Sequence, residues 1–301
     1  MCDRVLSVLV VNYNGAAHLP HCLTALAEQT YPADRFEVIV FDNGSTDGSA
    51  DEAERKHPNV RLIRAGRNHG FAGGNNLAAG HARGDYWVLL NPDTLPDPFW
   101  LEEVDRAIGE NPGCVIASKL HLANDPGRLN SAGLFLTRDG RGADRGFRQP
   151  DDGRYEGGGE VFAGCAAALA VPAGIELFDP DLFLYCEDLE FGWRWRKAGQ
   201  RVVFAPRAVV RHAVGAASDS PTYWFHSERN RALVALRHGD PVMAVTAGLG
   251  LFVRAARAVA LAMIGHPAAK YRWPNALAVV RALGSYLWRC PAVLDRRLSG
   301  A

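Results

Sequence analysis

The stretch VLSVLVVNYNG, residues 5–15, decides the fold. Its first seven residues form a near-continuous apolar run that ends at an Asn/Gly turn, and this pattern predicts a β-strand buried on both faces. A helical pattern follows, and the run FEVIVF, residues 36–41, predicts a second buried strand. A strand, a helix and a strand in this order begin a βαβ unit.

The same alternation continues along the next fifty residues. It predicts helices over 47–57 and 73–81 and strands over 60–63 and 86–90. Four strands interleaved with three helices predict an α/β fold, with a mostly parallel sheet flanked by helices. Beyond this region, the sequence predicts long Gly-rich loops over 125–160, a strand over 165–171, a helix over 188–198 and a largely helical C-terminal extension.

Composition excludes some classes of protein. The 301 residues are 48% hydrophobic and 22% charged with zero formal net charge, which excludes a disordered acidic chain and an overall basic nucleic-acid binder. The C-terminal residues 225–301 are an exception, because they contain eleven Lys or Arg against three acidic residues. This local excess of +8 indicates an anionic partner, or simply a solvated basic helix.

The C-terminal segment also contains an uncharged apolar run, Pro241–Val253, of thirteen residues. A bilayer-spanning helix needs about 20, so this run predicts no membrane span. Arginines and aromatic residues follow it, a pattern typical of a helix that lies in the interface of an anionic membrane. Packing on the rest of the chain, or a homodimer interface, is the alternative interpretation.

The six cysteines and the N-terminus indicate a compartment. The cysteines show no CxxC pair or metal-finger spacing, which favours free thiols in a reducing environment. The first strand follows the N-terminus almost directly, without the pattern of an export signal. Both features predict a cytoplasmic protein.

Polar residues follow the predicted strands, where ligands bind in sheets of this kind. Asp42 comes at the end of the second strand, where a carboxylate could accept hydrogen bonds from a base or a ribose hydroxyl; a turn and helix cap is the alternative. Asp93 follows the fourth strand and could bind a hard cation that neutralises a diphosphate. An Asx-Pro turn without a metal explains the tripeptide Asn91-Pro92-Asp93 equally well.

Two further residues could carry chemistry. Asp188 lies among acids at a predicted helix start, beside aromatic residues, as a general base near a cleft would. Favourable interaction of these acids with the helix dipole is the alternative explanation. His212 follows an apolar strand and, taken alone, is typical of a structural histidine.

Taken together, these segments resemble one family. The chain is similar, over about residues 5–238, to the family-2 inverting glycosyltransferases of the GT-A fold, particularly their rhamnosyltransferase-like branch. The segments that carry the resemblance are VVNYNG (10–15), DNGSTDGS (42–49), NHGFAGGNN (68–76), LLNPDT (89–94), FDPD (178–181), YCEDLE (185–190) and HAVG (212–215).

The resemblance implies roles for individual residues. Asp188 matches the family's catalytic base, and Asp93 with His212 would bind Mg²⁺ or Mn²⁺. Asn91 stands where the family's Asp-x-Asp motif has its first acid, which leaves the metal one charged ligand fewer. The residues implied in donor binding are Asn12, Asp42, Asn68, Gly70, Asn75, Asn76 and Asn91.

The implied domain organisation has two parts. Residues 1–225 would form the GT-A domain, with a nucleotide-binding half over about 1–110 and an acceptor half over 111–225. Residues 226–301 would form the basic helical extension.

The implied reaction is sugar transfer with inversion. Rhamnose from dTDP-rhamnose is the first candidate for the donor sugar and a UDP-hexose the second. The acceptor would be a hydroxyl of a glycan or a lipid-linked molecule at the inner face of the membrane, where the protein would be peripheral.

Two other functions are alternatives to sugar transfer. A catalytically inactive GT-A domain could serve as a glycan-binding or scaffold subunit. A nucleotidyltransferase or nicotinamide enzyme is disfavoured, because neither GxGxxG nor GxxxxGK[ST] follows the first strand.

Overall fold

A computed structural model describes residues 4–213, 220–268 and 271–299. The chain divides into two compact units. The sheet unit contains residues 1–135, 144–181 and 191–214, and the helical unit contains residues 136–143, 182–190 and 215–301.

The sheet unit begins with the βαβ succession that the sequence predicts. Apolar runs give the strands, and helices with apolar residues at three- and four-residue spacing connect them. The elements of this first part are β1 (Leu6–Asn12), α1 (Leu19–Ala27), β2 (Phe36–Asp42), α2 (Ser49–Lys56), β3 (Arg61–Arg64), α3 (Gly70–Ala79) and β4 (Tyr86–Leu90).

The second part of the sheet unit returns strands to the same sheet. Its elements are β5 (Thr94–Pro96), α4 (Trp100–Glu110), β6 (Val115–Leu122), β7 (Asp125–Ser131), β10 (Gly159–Val161), β11 (Ala168–Pro172) and β12 (Val202–His212). The strands β8 (Leu134–Leu136) and β9 (Gly142–Asp144) form a separate two-stranded sheet.

One ten-stranded sheet organises this unit, with the central order β10-β12-β6-β11-β4-β1-β2-β3. Strands β3, β2, β1 and β4 are parallel, as predicted. Strand β11 is antiparallel to both its neighbours, β4 and β6, so the sheet as a whole is mixed. The predicted α/β class is confirmed, and the antiparallel pairs belong to the second half of the sheet.

Both faces of the sheet are buried. In β1, Leu6, Val8 and Val10 pack with α1, α2 and α4 on one face, whereas Leu9 and Val11 pack with α3 on the other. This alternation explains why the strand is apolar at almost every position. The buried sheet holds the carboxyl ends of β1, β2 and β4 in fixed positions.

The helical unit contains three long helices, α6 (Pro221–His238), α7 (Pro241–Met263) and α8 (Trp273–Ser299), which confirm the predicted helical C-terminal region. Leu233 and Leu236 of α6 pack with Leu251 of α7 and with Val279 and Tyr286 of α8. The side chains of Ser220 and Asp240 cap the N-termini of α6 and α7, respectively.

Helix α5 (Glu187–Lys197) contains the boundary between the units, which falls after Glu190. Gly199, with φ +76°, follows this helix in the left-handed conformation of a helix end. The predicted helix over 188–198 is therefore present.

Helices α7 and α8 are both longer than the thirteen-residue uncharged run Pro241–Val253. Over Pro241–Met263 and Trp273–Leu298 they are long and apolar enough to cross a membrane by length and composition, since each contains an 18-residue window with a mean hydropathy of 1.5 and 1.2, respectively. Helix α7 continues through Arg254 and Arg257, so the thirteen-residue run underestimated its length. The inference that this segment is too short to span was wrong on that point.

Candidate active site

Asn12 and Asp42 end adjacent parallel strands and lie opposite each other in the register of β1 and β2. Both are almost completely buried. The Asn12 amide nitrogen donates to Asp42 Oδ1 at 3.1 Å, to Ser45 Oγ at 3.0 Å and to Ser49 Oγ at 2.8 Å. Asn12 Oδ1 has no hydrogen-bond partner within the described residues. The strand ends thus form a buried polar network with one free acceptor.

The turn after β1 is adapted to this network. A side chain at Gly15 would collide with Asn12 Oδ1, so only glycine leaves room for it. Asn14 has φ 53°, and its Oδ1 accepts from the backbone N–H of Thr46 at 2.8 Å. The NYNG motif therefore joins the loops that follow β1 and β2.

The segment of residues 68–76 lies against the end of β2 through Asn43. The Asn43 amide donates to Asn68 Oδ1 at 3.1 Å and to the Gly70 carbonyl at 2.9 Å. A Cβ at Gly74 would lie 2.7 Å from Val11, which explains the close approach of α3 to β1. Asn68 and Gly70 are thus placed at the strand ends with Asn12 and Asp42.

Two other predicted donor-binding residues make contacts within the fold. The Asn75 amide donates to the Phe71 carbonyl at 3.0 Å within α3. The Asn76 side chain bonds both backbone groups of Phe178, donating to its carbonyl at 2.8 Å and accepting from its N–H at 3.1 Å. Asn76 therefore fixes the loop that contains the FDPD motif.

Asp93 and His212, distant in sequence, lie together in the structure. Thr94 pairs with His212 where β5 meets β12, and His212 Nε2 is 3.4 Å from Asp93 Oδ1. In the part of the chain that the structure describes, neither Asp93 Oδ1 nor Asn91 Oδ1, both buried, has a hydrogen-bond partner. Val214 and Gly215 of the HAVG motif lie outside the described residues.

Two residues near His212, Asn130 and Asp144, belong to no motif that marks them as site residues in the sequence. Asn130, in β7, faces the other ring nitrogen of His212, with its Oδ1 2.7 Å from Nδ1. Burial raises the pKa of the Asp144 carboxyl, while a hydrogen bond from Ser131 and the charge of His212 act in the opposite direction. Both residues belong to the Gly-rich region predicted as loops, where no motif marked them.

Within the described part of the chain, no group of three or more His, Cys, Asp or Glu side chains could hold a metal ion. Asp93 and His212 form a pair, and their unpaired neighbour Asn91 Oδ1 is a neutral oxygen. Such a pair suits a cation that takes its remaining ligands from a diphosphate and water.

The start of α5, in the helical unit, brings together three acids, of which Glu187 and Glu190 are buried and Asp188 is partly buried. Asp188 Oδ1 accepts from the backbone N–H of Leu189 at 2.7 Å. Glu187 is 7% exposed, and no described residue makes a hydrogen bond to its Oε2. Burial first, and the charge of Asp188 second, raise the pKa of Glu187 to about 8. Glu190 is also buried, and its Oε1 lies 2.9 Å from His238 Nε2. The sequence places these acids together at a helix start, but no pattern in it predicts the burial of Glu187 and Glu190.

Comparison with known proteins identifies the family of the chain. The model of glycosyl transferase family 2 matches residues 7–166. The N-acetylglucosaminyl-diphospho-decaprenol L-rhamnosyltransferase of Mycobacterium tuberculosis is 30% identical over 237 residues, which are 69% of this chain and 76% of that protein.

Solved structures share the fold. GalNAc-T7 with UDP, GalNAc and Mn²⁺ superposes with a TM-score of 0.66 at 15% identity, over 98% of this chain and 57% of that one. TarS residues 1–349 of Staphylococcus aureus with UDP-GlcNAc superposes with a TM-score of 0.59 at 20% identity, over 97% and 83% of the two chains. The fold, the ordered motifs and the family match lead to one conclusion: the chain belongs to glycosyltransferase family 2, with the GT-A fold and similarity to the rhamnosyltransferase-like members.

Proposed function

We propose that the protein transfers a sugar, with inversion, from a nucleoside-diphosphate donor to a hydroxyl of a glycan or lipid-linked acceptor. The observation that carries this proposal is the grouping of Asn12, Asp42 and the Asp93–His212 pair at the carboxyl ends of one sheet. Ligands of open α/β sheets bind at this edge.

The donor nucleoside would bind at Asn12 and Asp42. The free Asn12 Oδ1 can accept a hydrogen bond, and the Asp42 carboxylate is held rigidly by the Asn12 amide. Asn68, Gly70, Asn75, Asn76 and Asn91 would shape the surface around the nucleotide. Rigid, buried groups bind a ligand without a further cost of ordering them.

A divalent cation fits the Asp93–His212 pair, because Asp93 Oδ1 is buried and has no hydrogen-bond partner among the described residues. Mg²⁺ or Mn²⁺ bound there would supply positive charge to the diphosphate leaving group. His212, whose Nδ1 faces Asn130 Oδ1, would present Nε2 on the side of Asp93. The Mn²⁺ in the GalNAc-T7 structure supports a metal of this charge.

Asp188 would act as the general base. Its carboxylate would take the proton from the acceptor hydroxyl as that oxygen attacks the anomeric carbon and the diphosphate leaves from the opposite side. A single displacement of this kind inverts the anomeric configuration. A retaining double displacement would need a second, nucleophilic carboxylate, and family resemblance assigns none.

The first candidate for the donor is dTDP-rhamnose, and a UDP-hexose is the second. The mycobacterial relative supports rhamnose through its name, which also gives a diphospho-decaprenol acceptor. Transfer assays with dTDP-rhamnose, UDP-glucose and UDP-GlcNAc, each with Mg²⁺, Mn²⁺ or a chelator, test donor and metal together. Turnover of a UDP-sugar alone would reverse the donor ranking, and undiminished turnover in chelator would remove the metal.

An inactive scaffold is the alternative function. The retained acids Asp42, Asp93 and Asp188 disfavour it, since a scaffold needs none of them. A thermal-shift screen decides between the two, because a donor that binds the native state raises its stability. Stabilisation by glycans without any nucleotide sugar would favour the scaffold.

We also propose that the helical unit lies on an anionic membrane. Helices α7 and α8 expose apolar faces within this unit, and a groove between them is lined by Phe252, Val259, Met263, Val280 and Leu283. The residues of these faces that are at least half exposed include Val242, Val245, Leu249, Phe252, Val253, Met263, Ile264, Leu277, Leu287, Trp288 and Leu298. A monomer in water seldom exposes so continuous an apolar surface.

The packing of α6 favours an arrangement in the plane of the membrane over a span. Glu228 of α6 is buried and pairs with Arg231 at 3.0 Å and with Arg254 of α7 at 2.6 Å. A span by α7 and α8 would carry these charges into the hydrocarbon, where each costs several kcal/mol. An in-plane arrangement leaves α6 outside the hydrocarbon.

Liposome binding tests this surface. The intact protein should co-sediment with anionic vesicles, and less so at high salt. The double variant Phe252→Glu/Trp288→Glu should lose binding, whereas Phe99→Glu, an exposed aromatic of the sheet unit, should not. Equal failure of all three proteins to bind, with only the double variant changing from dimer to monomer, would assign the surface to a homodimer.

A further inference from the structure

The backbone just before α5 is strained. Phe183, Tyr185 and Cys186 have φ values of 64°, 68° and 66°, so three of four consecutive residues that carry a Cβ adopt the left-handed conformation. Such a conformation is costly for residues other than glycine and persists only where the surroundings impose it. Cys186 leads directly into α5, since its carbonyl accepts from the N–H of Glu190 at 2.9 Å.

A single buried side chain of α6 binds this segment at three points. The Asn230 amide nitrogen donates to the carbonyls of Leu182 at 2.8 Å, Leu184 at 2.9 Å and Tyr185 at 2.8 Å. Asn230 is 0% exposed. Because its amide has two hydrogens for three acceptors, the three carbonyls must converge on one point.

Arg229 orients that amide. Its Nε donates to Asn230 Oδ1 at 2.8 Å, which directs the nitrogen of the amide towards the carbonyls. Its Nη2 also donates to the Leu182 carbonyl at 3.0 Å. Arg229 is itself buried, so these charge-assisted bonds are little weakened by water.

Aromatic contacts along the same face of α6 reinforce the arrangement. His226 stacks on Phe183 with ring centroids 5.1 Å apart, and Tyr223 meets Tyr185 edge to face at the same distance. Residues 223, 226 and 230 recur at three- and four-residue spacing and so share one helix face. Burial lowers the pKa of His226 to about 4, so its ring is neutral at pH 7.

We infer that Asn230, oriented by Arg229, is a positioning residue for Asp188. The inference rests on the proposed role of Asp188 as the general base. By holding the left-handed backbone of residues 183–186, Asn230 sets the direction in which α5 begins and hence the place of its second residue. Release of the three carbonyls would let the segment relax and displace the base.

Steady-state kinetics of Asn230→Ala test the inference. A displaced base lowers kcat by about 10- to 100-fold, because an error of about 1 Å in a reacting group can cost that much. The donor KM should change less than about threefold, since the proposed donor contacts belong to the sheet unit. Asn275→Ala, the other asparagine of the helical unit and also buried, is the matched control and should keep kcat within about threefold.

A glycine substitution separates positioning from general loss of structure. Glycine adopts a left-handed φ without strain, so Cys186→Gly should make the segment less dependent on Asn230. The double variant Asn230→Ala/Cys186→Gly should recover at least about fivefold in kcat over Asn230→Ala. A defect in the packing of α6 would not be rescued by a change in the loop.

Asp188→Asn, assayed in parallel, distinguishes this inference from the proposed function. If Asp188→Asn is inactive and Asn230→Ala behaves like Asn275→Ala, the positioning role is wrong and the base assignment stands. If Asn230→Ala is impaired but the glycine variant gives no rescue, the positioning role is likewise wrong. If Asp188→Asn is active, the base assignment fails and the positioning role fails with it.

Discussion

The strand ends of the sheet unit and the start of α5 in the helical unit hold their polar groups in different ways. Asn12 and Asp42 extend from regular parallel strands, and neighbouring side chains bind them. Asp188 follows a segment of left-handed residues that depends on Asn230. The first region obtains its geometry from the sheet itself, whereas the second needs a specific tertiary contact.

This difference suggests a division of labour. A binding surface can use the fixed positions that any parallel sheet provides at its carboxyl edge. A reacting group has to be placed more accurately, and backbone strain held by the surrounding structure is one way to do so. Changes in the two regions should therefore affect different kinetic constants.

The largest effect is expected at α5. Asp188→Asn removes a proton acceptor without changing the volume of the side chain, and should lower kcat by about 10²–10⁴-fold. Donor affinity, measured by calorimetry, should stay near that of the unmodified protein. Normal turnover by this variant would show that the base lies elsewhere.

A smaller but still substantial effect is expected at the metal pair. Asp93→Ala should raise the metal concentration needed for half-maximal activity by about tenfold or more, since it removes the charged ligand. His212→Ala should raise it less, because a neutral imidazole does not offset the ionic charge. Titration with Mn²⁺ at saturating donor measures both, and equal responses to metal in all three proteins would contradict the pair as a metal site.

At the nucleoside contact, the expected change is in KM. Asp42→Ala should raise the donor KM by about tenfold and leave kcat nearly unchanged, whatever the metal concentration, as for a contact made equally in the ground and transition states. Ser45→Ala, which removes a neighbouring hydroxyl of the same network, is the control and should have a weaker effect. A fall in kcat for Asp42→Ala would place this residue among the reacting groups instead.

The sequence predicts the strand ends better than the start of α5, because the sheet fixes the first region and a tertiary contact fixes the second. The strands that end at Asn12 and Asp42 are almost continuously apolar, so their positions follow from local pattern. The proximity of Asp93 and His212 was implied by family resemblance alone, since it depends on the antiparallel pairing of β5 with β12. No local pattern predicts that pairing.

At α5, the sequence predicts the helix and its acids, but it does not predict the contacts of Asn230 that hold the preceding segment. The left-handed φ at Phe183, Tyr185 and Cys186 has no signal in the sequence, because none of these residues is a glycine or asparagine. Asn230 lies in the middle of a predicted helix, where its bonds to another segment could not be foreseen. Strain that tertiary contacts impose is the part of this molecule that local rules miss.

The last prediction concerns Glu187, whose burial beside Asp188 distinguishes α5 from the strand ends. Its pKa is raised from 4.5 to about 8 in the folded protein, so deprotonation opposes folding. The contribution of the protonated group to stability is complete below pH 4.5 and is lost as the pH rises towards 8. Titration of this one group can change the free energy of unfolding by no more than about 1.4 kcal/mol per pH unit.

Glu187→Gln keeps the shape of the protonated carboxyl and cannot ionise. The Tm of this variant, relative to the unmodified protein, should therefore increase from pH 5 to pH 9 by several °C, because up to about 4 kcal/mol of the stability of the unmodified protein is lost over this range. Glu176→Gln, at an exposed position, is the control and should show no such trend. Because the charge of Asp188 is the second cause of the shift, the trend should weaken when Glu187→Gln is compared with its parent in an Asp188→Asn background. A trend of equal size in both backgrounds would mean that burial alone raises the pKa of Glu187, and that the two acids at the start of α5 act independently.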